Sequence, residues 1–440
     1  MLKRFYVATM GCQMNEYNSD HLSRYLIRAG YLPVETPESA DVIMINTCSV
    51  RDKAEQKAYS LIGRMARLKR KKQDLILGLM GCVAQQEGAK LFKRFSELDL
   101  VMGPRQIHRI AEWIERIEHH HEKVTALEID LQPSPAVTEP GYFNGRIKAF
   151  VTIMEGCNNF CSYCIVPYVR GREASRPHME IVQEVKSLAA QGIREVSLLG
   201  QNVNSYRDLQ GVGLDFPGLL KKLEKIPGLW RVRFTTSHPK DLSDELISCF
   251  KHVKNLCPHI HLPVQAGSNS ILDLMNRGYT REKYFELISK LREARPDLAI
   301  TSDIIVGFPG ETEQDFHLTM DLIKKIEFDN LFSFQYSDRK GTKAEKMGGK
   351  ITDTEKSARL SLLQDFQKQI TLKKNKALEG KQVEILIEGQ SKKGNQLSGR
   401  APDNRLINFS PNNNELGTIV NVLIKRSDIN SLWGEIIRQE

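Results

Sequence analysis

No apolar stretch in this 440-residue chain approaches the ~18 residues that a membrane-spanning helix needs. The opening MLKRFYVATMGC lacks the apolar core and small-residue cleavage site of a secretory signal and runs straight into a strand-like segment. A cytoplasmic location with no membrane partner is therefore the expectation. No bias of composition points to disorder. Hydrophobic residues make up 40% and charged residues 27%, and the formal charge of +9 permits nucleic-acid binding without requiring it. A further absence carries more weight. The stretch MEGCNNFCSYCIVPYVRGREASR holds Cys157, Cys161 and Cys164 with no fourth cysteine beside them. Structural zinc and ferredoxin-type 4Fe–4S clusters normally take four protein ligands. Three thiolates on a cubane leave one iron open to a substrate or cofactor.

What is present falls into three regions, within the compass of about two to four domains. Over residues 1–123, FYVATMG, DVIMINTC, LILGLMGC and LDLVMG read as strands. Helical spacing runs between them over 20–29, 53–68, 85–95 and about 105–120. This alternation predicts an open, mostly parallel α/β sheet. Residues 124–146 are poor in pattern, carry Pro133, Pro135 and Pro140, and read as a linker. Residues 147–375 offer the strands KAFVTIM, EVSLLG, RVRFTTS, HIHLPV, AITSDIIVGF and NLFSFQYS, with helices between them and a charged helix over 354–374. Six β/α units predict a partial (β/α)6 barrel, open on one side for a large substrate. Residues 376–440 are short β-like runs broken by Gly, Asn and Pro, which predict a small all-β barrel of about five strands.

The central spacing, C-x3-C-x2-C, puts three sulfurs within reach of one small cluster directly after the first barrel strand. Ligand sites of such folds gather at the carboxyl ends of strands. Zinc with a remote fourth ligand, or an incidental buried group, are the alternatives. Cys12, Cys48 and Cys82 lie 36 and 34 residues apart, yet each follows a strand candidate. In a parallel sheet those ends lie side by side, so the three can converge; independent buried cysteines remain the other reading. Cys249 and Cys257 have no matching partners and read as packing residues.

The cysteine loop resembles the cluster loop of the radical S-adenosylmethionine (radical SAM) superfamily, and the whole chain resembles the methylthiotransferase family. In that family an N-terminal cluster domain precedes a radical SAM barrel, and a small β domain called TRAM ends the chain. Among its branches, GCQMNEYNSD, NTCSVRDKAEQK, IMEGCNNFCSYCIVPYVRGREASR and LLGQNVNSY resemble the one that acts on N6-isopentenyladenosine at position 37 of tRNA. Ala266 stands where that branch usually has serine, and Asp20 where it often has glutamate; neither is a proposed ligand.

The resemblance implies two 4Fe–4S clusters. Cys157, Cys161 and Cys164 hold the one that binds and cleaves S-adenosylmethionine. Cys12, Cys48 and Cys82 hold an auxiliary one that presents sulfur. It places S-adenosylmethionine near Gln201, Asn202, Ser237, Gln265, Asp303 and Gly307. Phe160 and Tyr163 shield the cluster loop or simply pack. Arg170 and Arg172 meet phosphates or a carboxylate, or lie on the surface. No side chain is assigned as catalytic, since the chemistry belongs to the cofactors. Implied partners are the isopentenylated tRNA, a reducing electron donor and a sulfur source. The run RMARLKRKK, six basic residues in nine, and the C-terminal β domain are the expected grip on RNA.

Overall fold

The computed structural model describes residues 2–48, 52–130, 132–209, 213–391, 394, 396–411 and 416–437, without the side chains of 52–55. Strands β1 (Arg4–Thr9), β2 (Leu32–Pro33), β3 (Val42–Thr47), β4 (Ile76–Gly81), β5 (Leu100–Met102) and β6 (Val124–Ala126) form one parallel sheet in the order β2-β1-β3-β4-β5-β6. Every residue of β3 and β4 is buried. One face packs Met44 and Met80 against Trp113 and Ile114, the other packs Ile43 and Leu77 against Ile62 and Met65. Burial on both faces is why these strands read as unbroken apolar runs. β2 and β6 were not legible, being two and three residues long. β6 opens the stretch read as a linker and pairs with β5 as the edge of the sheet.

The second region has β7 (Lys148–Thr152), then the two-residue strands β8 (Met154–Glu155) and β9 (Ala174–Ser175), whose antiparallel pairing closes the base of the cysteine loop. β10 (Glu195–Leu199), β11 (Arg231–Phe234), β12 (His259–His261), β13 (Ala299–Val306) and β14 (Asn330–Gln335) follow, each main strand parallel to its neighbour within the sets β7-β10-β11 and β12-β13-β14. Among the described residues the sets meet at the isolated parallel bridge Val232–Leu256. Pro258 stands just before β12 and has no N–H to continue that ladder. The result is a partial six-stranded barrel around one large apolar core, closed by the helix Asp353–Lys376. β15 (Gln382–Gln390), β16 (Leu397–Arg400), β17 (Leu406–Phe409), β18 (Ile419–Ser427) and β19 (Leu432–Ile436) form the small closed barrel, in the order β15-β16-β17-β19-β18. No helix among the described residues is long and apolar enough to cross a membrane.

The domains are held by buried charge. The helix Gln13–Arg28 lies on the larger barrel, with Met14 and Tyr17 packed against Leu199 and Phe150. Arg24 and Arg176 both face Glu184, at 3.6 and 2.7 Å. Asp20 pairs with Arg146 at 3.0 Å across the same boundary. The small β barrel docks at the opposite end. Arg233 donates to the carbonyls of Pro402 and Ala401 at 2.7 and 2.9 Å, and Arg231 to that of Arg400 at 2.6 Å and to Glu384 at 2.9 Å. Arg231 opens β11 and Lys148, paired with Glu388 at 2.8 Å, opens β7. The β domain therefore sits at the amino ends of the barrel strands, away from the cysteine loop. It does not flank the mouth, and its removal would strip two buried arginines of these acceptors, leaving Arg233 only its pairing with Glu195 at 3.1 Å among the described residues.

Two cations of the basic run are similarly engaged in the fold, while Arg64, Arg67, Arg70 and Lys71 stay exposed. Lys69 Nζ pairs with Asp99 and donates to Leu75 O, and Lys72 Nζ pairs with Asp41 and donates to Ala40 O. Asp41 and Asp99 precede β3 and β5, at the end of the sheet remote from the cysteines. These lysines staple a helix to the sheet. Lys69→Ala is expected to cost about 1.5–3 kcal/mol of stability, the range for a charged hydrogen bond, with no change in the salt dependence of tRNA binding. Urea unfolding and RNA titrations at two salt concentrations check this. A flattened salt slope at unchanged stability would return Lys69 to the RNA interface.

Candidate functional site

Cys12, Cys48 and Cys82 stand just past β1, β3 and β4, which are adjacent in the sheet, so three distant positions arrive side by side. Gly11, at φ 132°, and Gly81, at φ 98°, precede two of them in backbone conformations that side-chain-bearing residues avoid. A Cβ on Gly11 would stand 2.5 Å from Cys48 Cβ, and one on Gly81 would stand 2.3 Å from Thr47 O. The space beside the sulfurs exists only because both are glycine. Asn46 Nδ2 donates to Asn15 O at 2.8 Å and to Ser19 Oγ at 3.0 Å, and Asn15 Nδ2 to Met10 O at 2.8 Å, latching the turn around Cys12. Cys12 also precedes the helix Gln13–Arg28. A hydrogen bond with Cys48 foremost, then Arg170 and the helix N–H groups of Asn15 and Met14, outweigh burial and draw its thiol down to about 5.

The central loop starts at Gly156, whose N–H donates to Gln201 Oε1 at 2.5 Å. Cys161 is buried, while Cys157 and Cys164 are half-buried. Burial pushes the Cys157 thiol up to about 11 and that of Cys164 to about 12, so ligation there must release protons. The segment 274–279 clasps the loop from the other side. Ser162 N–H donates to Met275 O at 3.0 Å, and Asn276 Nδ2 to the carbonyls of Asn159 and Phe160, both at 3.1 Å. The buried Arg277 donates to Cys161 Sγ and Tyr163 Oη, each at 3.3 Å, and to Pro263 O at 2.7 Å.

The two trios face one another through the short helix Val166–Arg170, which continues the central loop. Its Val169, and Ile165 just before it, pack on Cys82. Arg170, read from sequence as meeting phosphates or a carboxylate or as lying on the surface, is 3% exposed. Burial opposes its charge, but Cys82, Glu155 and Cys12 more than compensate and hold its pKa above the ordinary arginine range. Its Nη1 has no hydrogen-bond partner. Arg105, equally buried, donates from Nε and Nη2 to Arg170 O at 3.2 and 3.1 Å and pairs with Glu155 at 3.3 Å.

The residues expected to meet S-adenosylmethionine are distributed unevenly. Asn202 donates to Asp241 Oδ2 at 2.7 Å, and its own Oδ1 is buried without a partner. Ser237 Oγ and Gln265 Oε1 are likewise buried and unpartnered, and Gln265 has φ 75°. Gln201 supports the loop backbone instead. Asp303 lies 3.4 Å from His261 Nε2. Gly307 gives its N–H to Glu311 Oε1 at 3.0 Å, and a Cβ there would stand 2.3 Å from Lys356 Cγ, so its immediate service is to seat the closing helix. Sequence reasoning missed Arg277 and His238. His238 Nδ1 accepts from Lys240 N–H at 3.2 Å, leaving Nε2 buried and unpartnered. Burial, with Arg277 and Lys240 adding to it, draws its pKa down to about 2, so the ring is neutral. Only the His that precedes Pro239 signals it in sequence.

Among the described residues no three His, Cys, Asp or Glu side chains are already gathered as a metal-ligand set. The fit of a cluster rests on the all-sulfur donors and the room kept by the glycines. That of a polar cofactor rests on the orphaned atoms of Asn202, Ser237, His238 and Gln265. The branch-specific stretch SVRDKAE falls largely outside the described residues.

Sequence models of three families match the chain: the Radical SAM superfamily over residues 151–323, the Uncharacterized protein family UPF0004 over 4–103, and the TRAM domain over 376–437. The tRNA-2-methylthio-N(6)-dimethylallyladenosine synthase of Syntrophus aciditrophicus is 49% identical over 100% of this chain and 95% of its own length. The synthase of the same name from Geobacter metallireducens is 48% identical over 99% and 98%. Among solved structures, the radical S-adenosylmethionine methyltransferase TsrM from Kitasatospora setae aligns with a TM-score of 0.58 at 16% identity, over 78% of this chain and 77% of that one, a likeness of fold alone. The superfamily match and the buried cysteines accord with iron–sulfur and S-adenosylmethionine binding. With nearly half its residues identical along its whole length, the chain belongs to the tRNA-2-methylthio-N(6)-dimethylallyladenosine synthase family of the radical SAM superfamily.

Proposed function

We propose that this protein transfers a methylthio group to C2 of N6-isopentenyladenosine at position 37 of tRNA, with two 4Fe–4S clusters and S-adenosylmethionine as cofactors. The observation that carries this reading is the meeting of two cysteine trios from different domains on either side of one five-residue helix. An adenine C2–H is neither acidic nor electrophilic enough for ordinary acid–base chemistry. With S-adenosylmethionine bound, the central cluster would supply one-electron cleavage of the sulfonium and so a hydrogen-abstracting radical.

The chain's own residues position and shield. Cys157, Cys161 and Cys164 hold the central cluster, with Arg277 giving an N–H to Cys161. Asn202, Ser237 and Gln265 offer polar atoms to the cofactor, and neutral His238 offers an N–H. Cys12, Cys48 and Cys82 hold the auxiliary cluster, with Arg170 as the buried cation balancing their charge. A reducing donor and a sulfur source act as external partners. Reconstituted anaerobically with S-adenosylmethionine, reductant and isopentenylated tRNA, the protein is expected to yield the 2-methylthio nucleoside by mass analysis. Product only on threonylcarbamoylated tRNA or on ribosomal protein would overturn the substrate assignment.

A further inference from the structure

Beside the central loop the surface carries an aromatic corner that no step above uses. Phe160 and Tyr168 are 38% and 51% exposed, and their rings meet edge to face with centroids 6.3 Å apart and planes at 83°. The exposed Arg172 places its guanidinium 5.5 Å from the Phe160 centroid. Phe160 has φ 46°, a left-handed backbone that a bulky side chain adopts at a cost. Two hydrogen bonds hold that conformation: Asn276 Nδ2 reaches the carbonyls of Asn159 and Phe160, each at 3.1 Å. Nearby, Asn158 Oδ1 accepts from Glu173 N–H at 3.3 Å. A loop that only wrapped a cluster would bury this ring. Here the strain is spent on an apolar face in water, with a second ring at right angles and a cation alongside. Single-stranded nucleic acid is bound on surfaces of this composition, bases stacking on aromatic faces and arginine meeting the backbone or the ring system.

We propose that Phe160, Tyr168 and Arg172 form a stacking platform for the nucleobase next to the target adenosine, holding the tRNA loop open while that adenosine enters the barrel. The proposal rests on the tRNA reading above. It explains how RNA is gripped at the mouth when the small β domain is docked at the far end of the barrel and Lys69 and Lys72 are engaged in the fold.

The test uses the full chain with reconstituted clusters and an isopentenylated anticodon stem–loop RNA. The fluorescent base 2-aminopurine stands beside the target adenosine or, as a control, in the stem. Wild-type protein is expected to quench the loop probe and not the stem probe. Phe160→Ala and Tyr168→Ala should each lose most of that quenching and bind about ten-fold more weakly or worse, with iron content unchanged, and Phe160→Tyr should restore both. If Phe160→Ala loses iron, Tyr168→Ala, outside the cysteine spacing, decides the matter. Equal quenching and affinity in wild type and Tyr168→Ala overturn the platform. A wild-type protein that neither binds the stem–loop nor forms product overturns the tRNA reading instead.

Discussion

Replacing Cys157, Cys161 and Cys164 together by alanine is expected to abolish reductive cleavage of S-adenosylmethionine and to remove about half of the iron bound after reconstitution, since the two proposed 4Fe–4S clusters would share it equally. The effect is total because no other group in the loop can take over. The neighbours of the trio are backbone carbonyls, Tyr163, Arg277 and the single carboxylate of Glu173, which acts on Cys157 and accepts from Ser205 Oγ at 2.9 Å. The arginine is already committed to Cys161 Sγ, Tyr163 Oη and Pro263 O, and one carboxylate cannot replace three thiolates. Cys249 and Cys257, the remaining barrel cysteines, are buried elsewhere: Cys249 lies in the apolar core and Cys257 beside Arg233, which binds the small β domain. Neither can substitute. 5′-Deoxyadenosine measured by chromatography, with iron measured on the same sample, reads both halves. Cleavage at more than background in this variant would overturn the assignment of the central loop.

Strand-end cysteines were legible because a parallel sheet converts sequence order into spatial neighbourhood. Once GLMGC and MINTC are strands followed by cysteine, β3 and β4 pairing brings Cys48 and Cys82 together. The apolar runs of β3, β4 and the barrel strands were equally plain, since burial on both faces leaves no polar alternation to confuse the pattern. What stayed hidden depends on partners far away in sequence. Lys69 looks like an RNA contact until Asp99 and Leu75 are placed beside it. Arg170 reads equally as a cation for phosphates, for a carboxylate or for the surface, because its burial follows from docking one domain on another, which no local pattern records. Arg231 and Arg233 alternate along β11 as a half-exposed strand would, and only the small barrel's carbonyls show why they are covered. His238 and Arg277 gave no periodic signal, since each acts singly. Isolated polar residues in loops are read from geometry.

The Cys12→Ala, Cys48→Ala, Cys82→Ala variant is expected to keep reductive cleavage of S-adenosylmethionine and to form no methylthio product. Its domain contacts make the separation possible. The central loop is held by Gln201 from after β10 and by residues 274–277, all within the barrel, so removing the N-terminal sulfurs leaves those supports in place. The same variant strips Arg170 of Cys12 and Cys82, leaving Glu155 as the remaining anion among those that hold its charge. A buried guanidinium with a weakened set of counter-charges destabilises its surroundings, and those surroundings are the interface of the two domains. A lowered unfolding temperature is therefore expected along with the lost product. Retained 5′-deoxyadenosine formation is the control that separates this loosening from damage to the barrel. Restoring an anion next to Arg170 without restoring thiolates should recover part of the unfolding temperature and none of the product; Cys82→Asp in the triple background supplies it. Normal product yield from the alanine variant would remove the N-terminal trio from sulfur delivery. Loss of cleavage together with product would mean that the two sites are one cooperative unit, held through Val166–Arg170 more tightly than the hydrogen bonds around the central loop indicate.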